Sequence, residues 1–153
     1  MNIKGFAFAR GGIHPNKEYK KLGNPEGICV NELSLKMIKE CANIDDAIVM
    51  LDTIPRMPNA WRNLTLAEAT GRLVVIQLSP VDYTIIEPDE YGWTSVTNHF
   101  VPDFKGYDTE YVNSEASLSS IARNKRALEL RKTMQVGKAY PYTLMEFLSD
   151  TKN

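Results

Sequence analysis

Asn63-Leu64-Thr65-Leu66-Ala67-Glu68-Ala69-Thr70-Gly71, followed by Arg72-Leu73-Val74-Val75-Ile76-Gln77-Leu78, is the stretch whose reading decides the fold. Two runs rich in β-branched and aliphatic residues flank a Thr-Gly pair, which predicts a hairpin of Asn63 to Ala69 and Arg72 to Leu78. The second run is continuously apolar from Leu73 to Ile76 before Gln77. A strand of that kind is covered on both faces, so the hairpin predicts a sandwiched sheet with no wet side.

Working outward, Val81 to Glu87 predicts a further strand and Pro88 to Tyr91 a turn. Gly92 to Asn98 alternates like a strand, with Trp93, Ser95 and Thr97 on one face and Thr94, Val96 and Asn98 on the other. This last run ends in Asn98-His99-Phe100, and so delivers an amide and an imidazole to one rim. Asn also suits a turn, because its side chain can bond its own backbone. On the other side of the hairpin the period is helical. Leu35, Ile38 and Cys41 or Ala42 share one face of a helix beginning near Val30. Asn43, three residues before Asp46, marks the start of a second helix, in which Ile44, Ala47, Ile48, Leu51 and Ile54 repeat until Pro55. Asn2 to Ala9 predicts a first strand, and Arg10 to Gly27, rich in glycine, proline and charge, an exposed excursion.

Val101 to Asn113 has loop composition, with Phe104, Tyr107 and Tyr111 as aromatic pins or pocket walls. A helix from about Glu115 to Thr133, capped by Ser114 or Ser117, carries Leu118, Ile121, Ala122 and Leu128 as its expected buried stripe. Arg123 and Arg126, three residues apart, flank that stripe; they form a solvated edge or face one anion together. A last helix is expected from about Pro141. Strand, helix pair, strand meander and helix pair in that order predict an α+β domain over residues 1–153.

Composition removes several function classes. With 18 basic and 19 acidic side chains the chain has no charge excess for nucleic acid or an acidic membrane. The run Leu73 to Ile76 is too short to span a bilayer, and the stretch from Met1 does not read as a charged-then-apolar leader, so secretion is not expected. Cys29, Cys41, His14 and His99 make a poor metal inventory, so neither metal nor cofactor is expected. A soluble, cytoplasmic protein is the expectation. Cys41 lies on an apolar helix face; Cys29 lies near a helix start with no base in sight.

Several stretches in this order resemble one family. They are Met1-Asn2-Ile3-Lys4-Gly5-Phe6-Ala7, Asn43-Ile44-Asp45-Asp46-Ala47, the hairpin from Asn63, Val75-Ile76-Gln77-Leu78-Ser79-Pro80, Thr97-Asn98-His99-Phe100 and Ser120-Ile121-Ala122-Arg123. Together they are similar to the linear-amide C–N hydrolases and acyl-CoA:6-aminopenicillanate acyltransferases, relatives of the choloylglycine hydrolases among the N-terminal-nucleophile (Ntn) hydrolases. The resemblance runs from Gly27 to Asp150, plus the first strand. It implies an αββα sandwich and cleavage or transfer of an acyl group at an amide. It implies an N-terminal cysteine nucleophile with its own α-amine as base. It assigns Asn98 to the oxyanion hole, and Arg123 and Ser120 to substrate binding or ordering of the site. Glu68 and Gln77 stand where the family usually has Asp and Glu, which is expected to weaken polar pairing behind the hairpin. Neither Cys29 nor Cys41 matches the nucleophile. The expectation is therefore a partial Ntn-hydrolase sandwich without its nucleophile segment and closing strands, inactive alone. A homo-oligomer or a partner supplying strands would cover its open sheet. The alternative is a non-catalytic protein holding a small carboxylate or acyl ligand near Asn98 and Arg123.

Overall fold

The computed structural model describes residues 1–90, 92–100 and 115–131. Among these residues four strands form one antiparallel sheet in the order β1-β2-β3-β4: β1 (Ala7–Gly12), β2 (Arg62–Ala67), β3 (Leu73–Leu78) and β4 (Tyr83–Ile86). The hairpin is as expected, with Ala67 opposite Leu73 and Arg62 opposite Leu78. At its turn, Gly71 has φ +90°, a conformation that costs glycine little and other residues much.

Register divides the sheet into two chemically different faces. Phe8, Leu64, Leu66, Val74, Ile76 and Leu78 point to one side, where they join Phe6 and the helices α1 (Val30–Glu40) and α2 (Ile44–Thr53) in the main core. Ala7, Ala9 and Gly11 of β1, Asn63 and Thr65 of β2, and Leu73, Val75 and Gln77 of β3 point to the other. Every residue of β3 from Val74 to Leu78 is buried, in line with the double cover predicted from its apolar run.

The two helices start on side-chain caps. Asn43 Oδ1 accepts from the Asp46 N–H at 2.8 Å, and Asp46 Oδ2 accepts from the Ala42 N–H at 2.7 Å. Glu32 Oε2 accepts from the Cys29 N–H at 3.3 Å at the head of α1. At the far end of α2 the buried Arg56 donates to the carbonyls of Leu51, Ile54 and Ser79, tying the helix terminus to the end of β3.

Four local expectations are corrected. The first strand is Ala7–Gly12, not Asn2 to Ala9: Asn2 Oδ1 takes the N–H groups of Lys4 and Phe6, which folds residues 2–6 into a turn. Gly5 sits in it at φ +84°, and a Cβ there would lie 2.7 Å from Ala69 Cβ. The expected excursion consequently supplies three strand residues, and it also holds a short 3-10 turn, Lys17–Lys21. In α1 the buried face is Val30, Leu33, Met37 and, just beyond it, Cys41, while Leu35 is 53% exposed. Gly92 to Asn98 is not a strand: no ladder among the described residues pairs it, and bonds with the Asn63 side chain on β2 and with Asn124 and Ser120 of the following helix hold it in place.

That helix, α3 (Glu115–Arg131), is turned differently from the expectation. Leu118 is 56% exposed and Ile121 and Leu128 each 42%, while Ser120 is 1% exposed. Ser120 and Asn124, one turn apart, bond the extended segment below, and satisfying them turns the polar side inward. The expected aromatic loop with Phe104, Tyr107 and Tyr111, the cap at Ser114 and the helix from Pro141 lie outside the described residues; Ser117, the other expected cap, falls within α3 and does not start it.

Among the described residues no helix is long and apolar enough to cross a membrane.

Candidate functional site

The polar face of the sheet holds the segment that carries Asn98. Asn63, 2% exposed, donates both amide hydrogens, to Thr97 O at 2.6 Å and His99 O at 3.2 Å. Its Oδ1 accepts from Gln77 Nε2 at 2.9 Å. Beyond His99, Phe100 packs edge-on against Trp61, with ring centroids 5.9 Å apart, in a second small core with Ile13. The segment is thus pinned on both sides of Asn98.

From above, Ser120 Oγ accepts from the Asn98 backbone N–H at 2.8 Å and lies 3.0 Å from His99 Nδ1. Thr97 Oγ1 donates to Ser120 O at 2.8 Å and is itself 3.0 Å from His99 Nδ1. Two hydroxyls therefore bracket one ring nitrogen in a buried pocket. Burial, and then the nearby Arg123 cation, push the His99 pKa below its ordinary value, which keeps the ring neutral near pH 7.

Asn98 itself is exposed at the rim. Its Nδ2 donates to Gly12 O at 3.0 Å, and its Oδ1 accepts from Arg123 Nη2 at 3.2 Å. A carbonyl only accepts and a guanidinium only donates, so both neighbours dictate the same amide orientation. Gly11 faces the same amide from the end of β1, where a Cβ would stand 3.7 Å from Nδ2. One Nδ2 hydrogen remains for another acceptor.

Asn98, Arg123 and Ser120 are thus brought together, each in a distinct position: Asn98 at the rim, Arg123 exposed beside it, Ser120 buried beneath. Arg123 and Arg126 both line an adjoining cavity of about 560 Å³. Thr65, Leu73 and Val75 form its floor, Trp93 to Thr97 one wall, and α3 from Arg123 to Arg131 its roof. Its far end is tied by an ion pair of Arg131 with Asp89, which in turn accepts from the Trp93 N–H at 3.2 Å.

Neither cysteine belongs to this site. Cys29 heads α1 and Cys41 is buried in the main core, both across the sheet from Asn98; burial, reinforced by Asp46 and Glu40, pushes the Cys41 thiol pKa up. No set of three or more His, Cys, Asp or Glu side chains able to hold a metal occurs among the described residues. Glu68 faces away from the site: its carboxylate accepts from the Ile44 N–H at 2.9 Å at the head of α2, and this bond, with one from Thr70, holds its pKa below the ordinary 4.5. Asn63 is the residue missed from sequence, and Gln77, expected to weaken polar pairing behind the hairpin, instead pairs with it. Their signal is a pair of amides facing each other across otherwise apolar strands.

The family model described as acyl-coenzyme A:6-aminopenicillanic acid acyl-transferase matches residues 1–153. Among solved structures, the fold is similar to that of an arginine-to-leucine variant of conjugated bile acid hydrolase from Clostridium perfringens, with a TM-score of 0.62 at 13% identity. The alignment covers 97% of this chain and 57% of the hydrolase, so the chain spans little more than half of that protein's length. No curated protein sequence matches significantly.

Proposed function

Since the chain belongs to the acyl-coenzyme A:6-aminopenicillanic acid acyl-transferase family, we propose that it carries the oxyanion-binding half of a site for acyl transfer or amide C–N hydrolysis. The observation that carries this reading is the Asn98 side-chain amide, fixed by Gly12 and Arg123, with one N–H left over, on a backbone that Ser120 holds through the Asn98 N–H. Attack on an amide carbonyl moves negative charge onto its oxygen, and a donor already aimed there lowers the barrier by about 3 kcal/mol. Arg123 orients that donor and adds positive charge beside it. Ser120, too buried to meet substrate, positions the Asn98 backbone.

The nucleophile is not among these residues: a thiolate must reach the carbonyl carbon, and Cys29 and Cys41 are on the wrong side of the sheet. Neither of the chain's two cysteines therefore serves as the nucleophile in this reading. A partner that supplies strands, or a second copy of the chain, covers β1 and β4, which among the described residues pair on one side only.

The test is binding of a transition-state mimic. A phosphonate analogue of an acyl amide should bind the pure chain at least tenfold more tightly than the amide itself, and Asn98→Ala should abolish that preference. Penicillin V and conjugated bile salts should not be turned over by this chain alone. Equal affinity for phosphonate and amide would sink the oxyanion reading and leave a carboxylate-binding protein. That second reading rests on the exposed Arg123.

A further inference from the structure

We infer that His99 is a positioning residue for the Asn98 amide: as its Nδ1–H tautomer the ring donates to the hydroxyls of Ser120 and Thr97 and so locks the backbone on which that amide stands. Its consequence for function rests on the oxyanion reading of Asn98; the tautomer itself follows from hydrogen-bond accounting. Ser120 Oγ, Thr97 Oγ1 and His99 Nδ1 form a triangle with sides of 2.9, 3.0 and 3.0 Å. Two further bonds leave it. Thr97 Oγ1 donates to Ser120 O at 2.8 Å, which commits the threonine hydrogen, and Ser120 Oγ accepts from the Asn98 N–H at 2.8 Å. Only the Ser120 hydrogen is then left for the triangle. With a bare Nδ1 it serves one side, and the other two sides set lone pair against lone pair at hydrogen-bond distance. Turning the threonine hydrogen inward does not help, because Ser120 O would then face Thr97 Oγ1 with no hydrogen between them. A proton on Nδ1 removes the conflict: Ser120 donates to Thr97, and the two oxygens share the Nδ1–H.

Burial and the Arg123 cation disfavour a second proton, so the lone pair of the ring stands on Nε2. The effect on the site is mechanical. Asn98 lies between two residues whose side chains, Thr97 and His99, are tied to one hydroxyl of α3, while Asn63 holds their carbonyls from the sheet. The Asn98 side chain therefore leaves a backbone fixed from both sides, and its Nδ2 meets Gly12 O. An acceptor at position 99 in place of the donor would draw the Ser120 hydrogen away from Thr97 and loosen that frame. Asparagine can place its Nδ2 where Nδ1 stands and donate from there; glutamine carries its amide nitrogen to the level of Nε2.

Nitrogen NMR of the full chain at neutral pH, with His14→Gln to assign the two histidines, should show Nδ1 protonated and Nε2 bare. A bare Nδ1, or protons on both nitrogens, overturns the inference. Binding of the phosphonate and of the amide is then compared across variants at position 99. His99→Phe should cut the phosphonate preference about fivefold, the equivalent of one hydrogen bond of ordinary strength. His99→Asn should restore most of it and His99→Gln should not. Equal loss in all the folded variants would mark a packing role and overturn the inference, as would no loss in any. Should His99→Phe not fold, the tautomer and the contrast between Asn and Gln carry the test. Hydrogen exchange of the Asn98 side-chain amide separates the two readings. If the oxyanion reading fails, phosphonate and amide bind the parent chain alike, while that exchange still quickens in His99→Gln relative to His99→Asn. If the positioning role fails, the phosphonate preference stands and the exchange is the same in both variants.

Discussion

Replacing Asn63 by alanine isolates what holds the Asn98 segment on the sheet. The change removes two fully buried bonds, from Gln77 Nε2 and to His99 O, and one partly buried bond to Thr97 O. At about 1–1.5 kcal/mol for each buried group stranded, and less for the carbonyl that water can reach, the cost is about 3 kcal/mol. Gln77→Leu makes the contrast. It strands Asn63 Oδ1, but it also deletes Gln77 Oε1, a fully buried acceptor with no partner. The two terms oppose each other, so the net change should stay within about 1 kcal/mol. Urea unfolding followed by tryptophan fluorescence measures both variants, with the shift in midpoint converted at unchanged slope. If Gln77→Leu costs as much as Asn63→Ala, the amide pair acts as one unit and the bond-by-bond reasoning is refuted.

Other variants probe the remaining contacts. His99 is held neutral by burial, so the unfolded chain binds a proton more readily; stability should be full above pH 6.5 and fall as pH drops from there toward the lowered folded value. Thermal melts of His99→Gln should show a flatter slope across that window. Arg56→Met should cost about 3 kcal/mol in the same urea assay, because it strands the Leu51 and Ser79 carbonyls at two buried junctions. Light scattering should find a dimer or larger assembly that covers the outer edges of β1 and β4; a clean monomer with a well-dispersed spectrum would count against a covering copy.

The fold was legible wherever one period dominated. The apolar run Leu73 to Ile76 announced a doubly covered strand, and the Asn43–Asp46 spacing announced the head of α2, because both signals are local. Failures came where distant bonds set local geometry. Asn2 turns the chain and delays β1, an effect visible only once its side chain also meets the carbonyls of Ile38 and Cys41. Residues 92–98 alternate as a strand should, yet alternation cannot say whether a neighbouring strand exists to pair with. For α3 the hydrophobic pattern pointed one way and Ser120 and Asn124 the other. Two hydrogen-bonding positions outweighed three aliphatic ones, since a buried hydroxyl or amide left unbonded costs more than a half-exposed leucine.

The site was legible in its residue types and not in its support. Asn98, Ser120 and Arg123 came from a resemblance, and 22 residues of sequence separate Asn98 from Ser120. Nothing in periodicity brings them together. What joins them physically is the division of labour across one sheet. The apolar face binds α1 and α2 and needs no partner of particular shape. The other face carries two amides, Asn63 and Gln77, and the two N–H groups of Asn63 call for backbone carbonyls two residues apart, which Thr97 and His99 supply. An extended segment satisfies that demand and a helix does not, because its carbonyls are already used. The polar break in β2 and β3 therefore does more than interrupt a hydrophobic pattern. It selects which stretch of chain can lie there, and thereby where the Asn98 amide comes to stand.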